Sequence, residues 1–165
     1  MKGPLRYARA LARRRRPVSR AELTAFSSAL RGPQRISALR ALVDGAIVAG
    51  TLERRGLRPL VRDRSDLPTA ELWDARRVSA AVDAGLGVLP VKATCLRRSV
   101  TLLRELNRRE RSAVLHIGVR TGPDGIEAHA WVQVGDQVVN DDPESTATYT
   151  ELATGEAERL LPRFA

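Results

Sequence analysis

The sequence predicts an α+β fold: a helical N-terminal part packed on a core with one central helix and a small antiparallel sheet. Three observations carry this. Apolar residues recur at helical spacing through residues 5–50 and again from Cys95 to Arg109. From Ala113 the period changes to two, as in strands with one buried face. Turn chemistry then punctuates the alternating runs at Thr121-Gly122-Pro123-Asp124-Gly125 and Gly135-Asp136. With 165 residues and 43% hydrophobic side chains, the chain can fill one core, built on Leu, Val, Ile and Ala because aromatics are only 4%.

The elements follow in order. Leu5, Ala8, Leu11 and Ala12 mark a first helix that Pro17 ends. Ser19-Arg20-Ala21-Glu22 is a capping box, in which the serine oxygen takes a free amide and the glutamate reaches back. It opens a helix carrying Leu23, Phe26 and Leu30, stopped at Gly32-Pro33. Ile36, Leu39, Val43 and Ile47 form the stripe of a third helix. Residues 50–68 read as a connection with one short element at Leu57 to Val61. Asp66 and Pro68 suit the start of a helix closed by Gly85 and Gly87. Thr94 can cap a helix from Cys95 to Arg109 with Leu96, Val100, Leu103 and Leu106 on its stripe. Ala113 to Val119, Ile126 to Val134 and Gln137 to Asn140 make a three-strand meander, and a last helix is expected from Glu151 to Leu161.

Charge divides the chain. Residues 1–60 hold 14 basic and 3 acidic side chains, whereas residues 61–165 hold 14 and 16. We therefore read 1–60 as an arginine-rich helical region and 61–165 as the core, within one unit. A basic surface can bind an acidic partner, nucleic acid or a membrane face. The blander reading, a solvated arginine face, comes first, because no aromatics interleave with the arginines and no nucleic-acid motif is present. No apolar run approaches the ~18 residues of a membrane span. Arg9 and Arg13 to Arg16 interrupt any signal-peptide core, so a cytoplasmic place is expected. One cysteine makes no internal disulfide, and with only His116 and His129 as further soft ligands a zinc site is not expected.

The chemistry-bearing residues are Cys95, His129 and Asp141. A thiol at a helix start is stabilised as thiolate by the unpaired amides and the dipole, and those amides can also hold an oxyanion; Arg97 and Arg98 add positive potential. A lone cysteine taken by itself is more often core filling. His129 follows 34 residues later on the strand face shared by Glu127, Trp131 and Gln133; it is either a surface pair with Trp131 or a base shielded by the indole. Asp141, 12 residues on, follows a strand antiparallel to that of His129 and can fix the imidazole's tautomer. Asp142 competes for that role, and His116 is read as structural or exposed. The order Cys, His, Asp on helix, strand and following strand is more specific than any member alone.

The segments Thr94-Cys95-Leu96-Arg97-Arg98-Ser99, Ile117-Gly118-Val119-Arg120, Glu127-Ala128-His129-Ala130-Trp131-Val132 and Val139-Asn140-Asp141 resemble the transglutaminase-like leader peptidases of lasso peptide biosynthesis. These are the stand-alone form of the C-terminal half of the microcin-processing proteins, and the resemblance covers about residues 85–145. It implies a transglutaminase/papain-like core and a cysteine endopeptidase that cuts the leader from a ribosomal precursor through a thioester. Cys95 would be nucleophile, His129 base and then acid, and Asp141 the orienting group. No metal or organic cofactor is required by that chemistry. The implied partners are the precursor peptide, a separate small leader-recognition protein, because residues 1–60 lack the strands of the fused form, and a downstream ATP-dependent cyclase. The excess of basic charge in residues 1–60 suggests that the arginine-rich helices offer a docking surface for the recognition protein or for the precursor, which reversing Arg13 to Arg16 would test. Lys92 is the candidate second oxyanion donor. Two rival readings remain: an acyltransferase passing the thioester to an amine, and a non-catalytic basic adaptor binding nucleic acid or a partner protein.

Overall fold

Backbone accounting and side-chain size decide where each element begins and which way it faces. The computed structural model describes residues 16–62, 64–90, 93–123 and 125–153. In chain order these form α1 (Arg20–Arg31), α2 (Arg35–Arg55), α3 (Leu72–Gly87), α4 (Cys95–Arg108), β1 (Val114–Gly122), β2 (Gly125–Val134), β3 (Gln137–Val138), the one-turn α5 (Pro143–Thr146) and β4 (Thr150–Glu151). The architecture is α+β, with one antiparallel sheet in the order β3-β2-β1-β4.

The capping box at Ser19 forms: its Oγ accepts the Glu22 amide at 3.2 Å while Glu22 Oε2 accepts the Ser19 amide at 2.7 Å. Several boundaries differ from the sequence reading. α2 runs on to Arg55 and ends at Gly56, whose φ of 73° favours glycine. Leu57 to Val61 is a turn, held by Leu60 N–H on the Leu57 carbonyl at 2.9 Å, with both leucines buried. α3 starts at Leu72 rather than near Pro68. The Pro68 carbonyl instead accepts the Ser112 amide at 2.8 Å, and Thr69 forms a parallel bridge with Ser112, so this stretch is extended. Glu151 lies in a strand, not at a helix start, while residues 154–161 of that expected helix lie outside the described residues, as does the helix read over Leu5 to Ala12.

α2 corrects a second expectation. Its stripe of Ile36, Leu39, Val43 and Ile47 exists but faces outward, with Val43 63% exposed. The core side is the opposite stripe of small residues, Ala38, Ala41, Gly45, Val48 and Ala49. Small residues let backbones approach: a Cβ on Gly85 of α3 would stand 2.8 Å from the Ala41 Cβ and would meet the Ala38 carbonyl. Helix α4 fills the centre, with Val100, Leu102, Leu103 and Leu106 almost fully buried against β2 and α3. Each such side chain contributes about 1.5–3 kcal/mol of burial. Two buried acids tie α2 to α4. Asp44 receives Arg108 in a two-pronged pair and Arg104 at 3.5 Å. Glu105 accepts from the Ser37 hydroxyl at 2.7 Å. Burial raises the Asp44 pKa, but the hydrogen bonds and charges of Arg108 and Arg104 outweigh it, so the carboxyl is held below the usual aspartate range. Among the described residues no helix is long and apolar enough to cross a membrane.

Candidate active site

Thr94 starts α4 as expected, its Oγ1 accepting the Arg97 amide at 3.4 Å. The amides of Cys95 and Leu96 have no acceptor among the described residues. Cys95 is thus the first residue of α4, at the positive end of the helix dipole. The thiol is free and half-buried, packed in a cluster with Val100, Ile117 and Ala130.

β2 separates two chemistries by its pleat. Ala130, Val132 and Val134 face the helical core. Glu127, His129, Trp131 and Gln133 face the other way, opposite Arg120, Gly118, His116 and Val114 of β1. His129 Nε2 lies 2.6 Å from Asp141 Oδ2, which leaves Nδ1 as the nitrogen available to a nucleophile. Its ring packs with Trp131 at 6.1 Å and Tyr149 at 5.1 Å between centroids.

Asparagine places that aspartate. β3 ends at Val138, yet pairing continues for one step as the Val139 amide donates to the Val132 carbonyl at 2.9 Å. The side chain of Asn140 then replaces backbone, its Oδ1 accepting the Val132 amide at 2.8 Å and its Nδ2 donating to Ser99 Oγ at 2.9 Å. Ser99 in turn donates to the Ala130 carbonyl at 2.9 Å. This chain of bonds pins the first turns of α4 to the edge of β2 beyond the end of β3, and the next residue after Asn140 is Asp141. Sequence reading named Asn140 only as a strand end and a motif neighbour of Asp141 and gave it no role of its own.

Asp142 is employed elsewhere: it caps α5, accepting the Ser145 amide at 2.9 Å, which removes it as a competitor for His129. His116 pairs with Glu151 at 2.7 Å and stacks on Trp131, consistent with a structural part. Lys92 lies outside the described residues, as do Arg13 to Arg15. Arg16 is engaged within the fold, on the Gly87 carbonyl at 2.7 Å and Glu22 at 2.6 Å.

The structure therefore joins His129 to Asp141, and among the described residues Cys95 makes no hydrogen bond to either. Arg98 lies within electrostatic reach of both Asp141 and Cys95. Its guanidinium is held charged first by paired bonds to Asp83 at 2.8 and 2.7 Å, and further by the charge of Asp141 and the sulfur of Cys95. Among the described residues no group of three or more His, Cys, Asp or Glu side chains is disposed to hold a metal ion.

Known proteins bear on this arrangement. Over 52 residues the chain is 52% identical to the microcin J25-processing protein McjB of Escherichia coli, a match covering 32% of this chain and 24% of that relative. The chain thus spans about a quarter of the curated relative it matches. No solved structure matches it. The model of the transglutaminase-like superfamily matches residues 39–154, from within α2 to just past β4 and including every residue of the site. The chain belongs to the transglutaminase-like superfamily.

Proposed function

We propose that this protein is a cysteine peptidase that removes the leader from a lasso peptide precursor, with Cys95, His129 and Asp141 as its working groups. The observation that carries the reading is the bond from His129 Nε2 to Asp141 at 2.6 Å, in a fold whose central helix begins at a free thiol. The resemblance to a microcin-processing protein supports the substrate class.

The chemistry follows from the placement. The Cys95 proton passes to Nδ1 of His129, and the sulfur attacks the last carbonyl carbon of the leader. The oxygen gains negative charge, which the open amides at the start of α4 stabilise. The imidazolium then gives its proton to the departing core amine, and the C–N bond breaks to leave a thioester. Water, deprotonated by the same imidazole, adds to the thioester; the sulfur leaves and the leader carboxylate is released. Asp141 keeps the imidazole in one tautomer and stabilises its charged form. Trp131 excludes water from one flank of that pair.

A small recognition protein would bring the leader, and the arginine-rich helices would offer it a docking surface. The released core amine would pass to an ATP-dependent cyclase. The test is mass spectrometry of a precursor incubated with the recognition protein and either the wild type or Cys95→Ala. Free leader with the wild type alone supports the reading. An amine adduct on the leader in place of a free carboxylate would make the protein an acyltransferase. Salt-sensitive binding that survives Cys95→Ala, without any covalent change, would make it an adaptor.

A further inference from the structure

After Asp141 the chain forms α5 and then pairs β4 with β1. This strap carries Tyr149 to the outer face of the sheet, beside His129. Gly118 is the cross-strand neighbour of His129 and has no side chain to occupy that place. Tyr149 takes it: a Cβ on Gly118 would stand 2.8 Å from the Tyr149 Cβ and 3.1 Å from the edge of the Trp131 ring. The tyrosine ring lies 5.1 Å from the imidazole and 6.4 Å from the indole, so the three rings pack against one another. Behind Tyr149, the Arg120 guanidinium sits 4.5 Å from its centroid, itself held by Glu127 at 2.8 Å and Thr148 at 3.0 Å.

We propose that Tyr149 is a positioning residue for His129: seated in the gap left by Gly118 and backed by Arg120, it keeps the imidazole in the rotamer that bonds Asp141. This rests on the proposed peptidase reading and deepens it. A single bond at Nε2 is a hinge, about which the ring can swing unless something flat fills the space beside it. Trp131 fills one flank and Tyr149 another. The strap does not depend on the tyrosine for its attachment. The Leu152 amide donates to the Ile117 carbonyl at 2.8 Å, and Leu152 packs into the core. Loss of the ring should therefore free the imidazole without releasing β4.

The experiment compares wild type, Tyr149→Phe, Tyr149→Ala and Gly118→Ala by precursor cleavage and by the NMR signal of the imidazole proton shared with Asp141. Misplacing a reacting group by about 1 Å costs up to roughly 100-fold in rate. Tyr149→Ala should lower kcat about tenfold or more with KM nearly unchanged, and should weaken or broaden the proton signal. Tyr149→Phe should restore both, since the ring and not the hydroxyl is required. Gly118→Ala should resemble Tyr149→Ala although the tyrosine is intact. A folded Tyr149→Ala with wild-type kcat and an unchanged signal overturns the proposal. Should that variant fail to fold, Arg120→Gln carries the test, with a several-fold loss of kcat expected and an unchanged kcat overturning it. If the wild type leaves the precursor whole, the peptidase reading fails, while the proton signal still decides whether Tyr149 braces His129.

Discussion

The two faces of β2 are made from the same strand and do different work. Toward the helices it presents Ala130, Val132 and Val134, aliphatic and almost dry. Toward the strap it presents His129 and Trp131, joined by His116 and Tyr149 into a layer of rings with polar tips. The first face is stabilised by area and shape, which tolerate exchange of one aliphatic side chain for another at modest cost. The second depends on two directed bonds, His129 to Asp141 and His116 to Glu151, and on rings packed in fixed orientations. A residue's face, more than its burial, therefore tells what its loss will do.

Substitution on either face should separate stability from activity. The largest effect is expected for Asp141→Ala, which should slow precursor cleavage by roughly 10²–10⁴-fold while leaving the urea unfolding midpoint close to wild type. Leu102→Ala, on the helix that covers the inner face, should do the reverse. It should lose about 2–5 kcal/mol in urea unfolding, with the folded fraction still active per molecule. Asn140→Ala breaks the comparison deliberately, because its side chain bonds Val132 and Ser99 on the helical side while its backbone leads directly to Asp141. It should lose about 1–3 kcal/mol, from the unpaired amide and hydroxyl, and also slow cleavage by displacing Asp141.

Much of this division was legible in the sequence. Alternation over residues 126–134 assigned both faces of β2 correctly, and the Thr94 cap and the Cys95 helix start followed from local rules. Hairpin geometry brought Asp141 within reach of His129 but left Asp142 as a competitor, and the bond at 2.6 Å falls to Asp141. What escaped shares a physical cause: it has no period. β4 is two residues long, and the strap that carries Tyr149 is turns and one helical turn, so no pattern announced it. α2 failed for another reason. Its two stripes, Ile36-Leu39-Val43-Ile47 and Ala38-Ala41-Gly45-Val48, have comparable helical spacing, and hydrophobicity alone favours the wrong one. Only the need for close backbone approach at Gly85 selects the small side.

A smaller and pH-dependent effect belongs to the helical layer. The Asp44 carboxyl is held below its ordinary range in the folded chain, so its pairing with Arg108 stabilises the fold above the unfolded aspartate value. That stabilisation is lost as pH falls through the folded value. Urea unfolding of the wild type should therefore weaken steadily with acid below about pH 4, and Asp44→Asn should show a flatter profile.

The proposed mechanism requires that His129 activate Cys95, which the rate of Cys95 alkylation by iodoacetamide at neutral pH reads without any precursor. Under the proposed mechanism the wild type should react about ten- to a hundredfold faster than His129→Ala, because the imidazole serves as base to the thiol. Equal rates in the two folded proteins would contradict it.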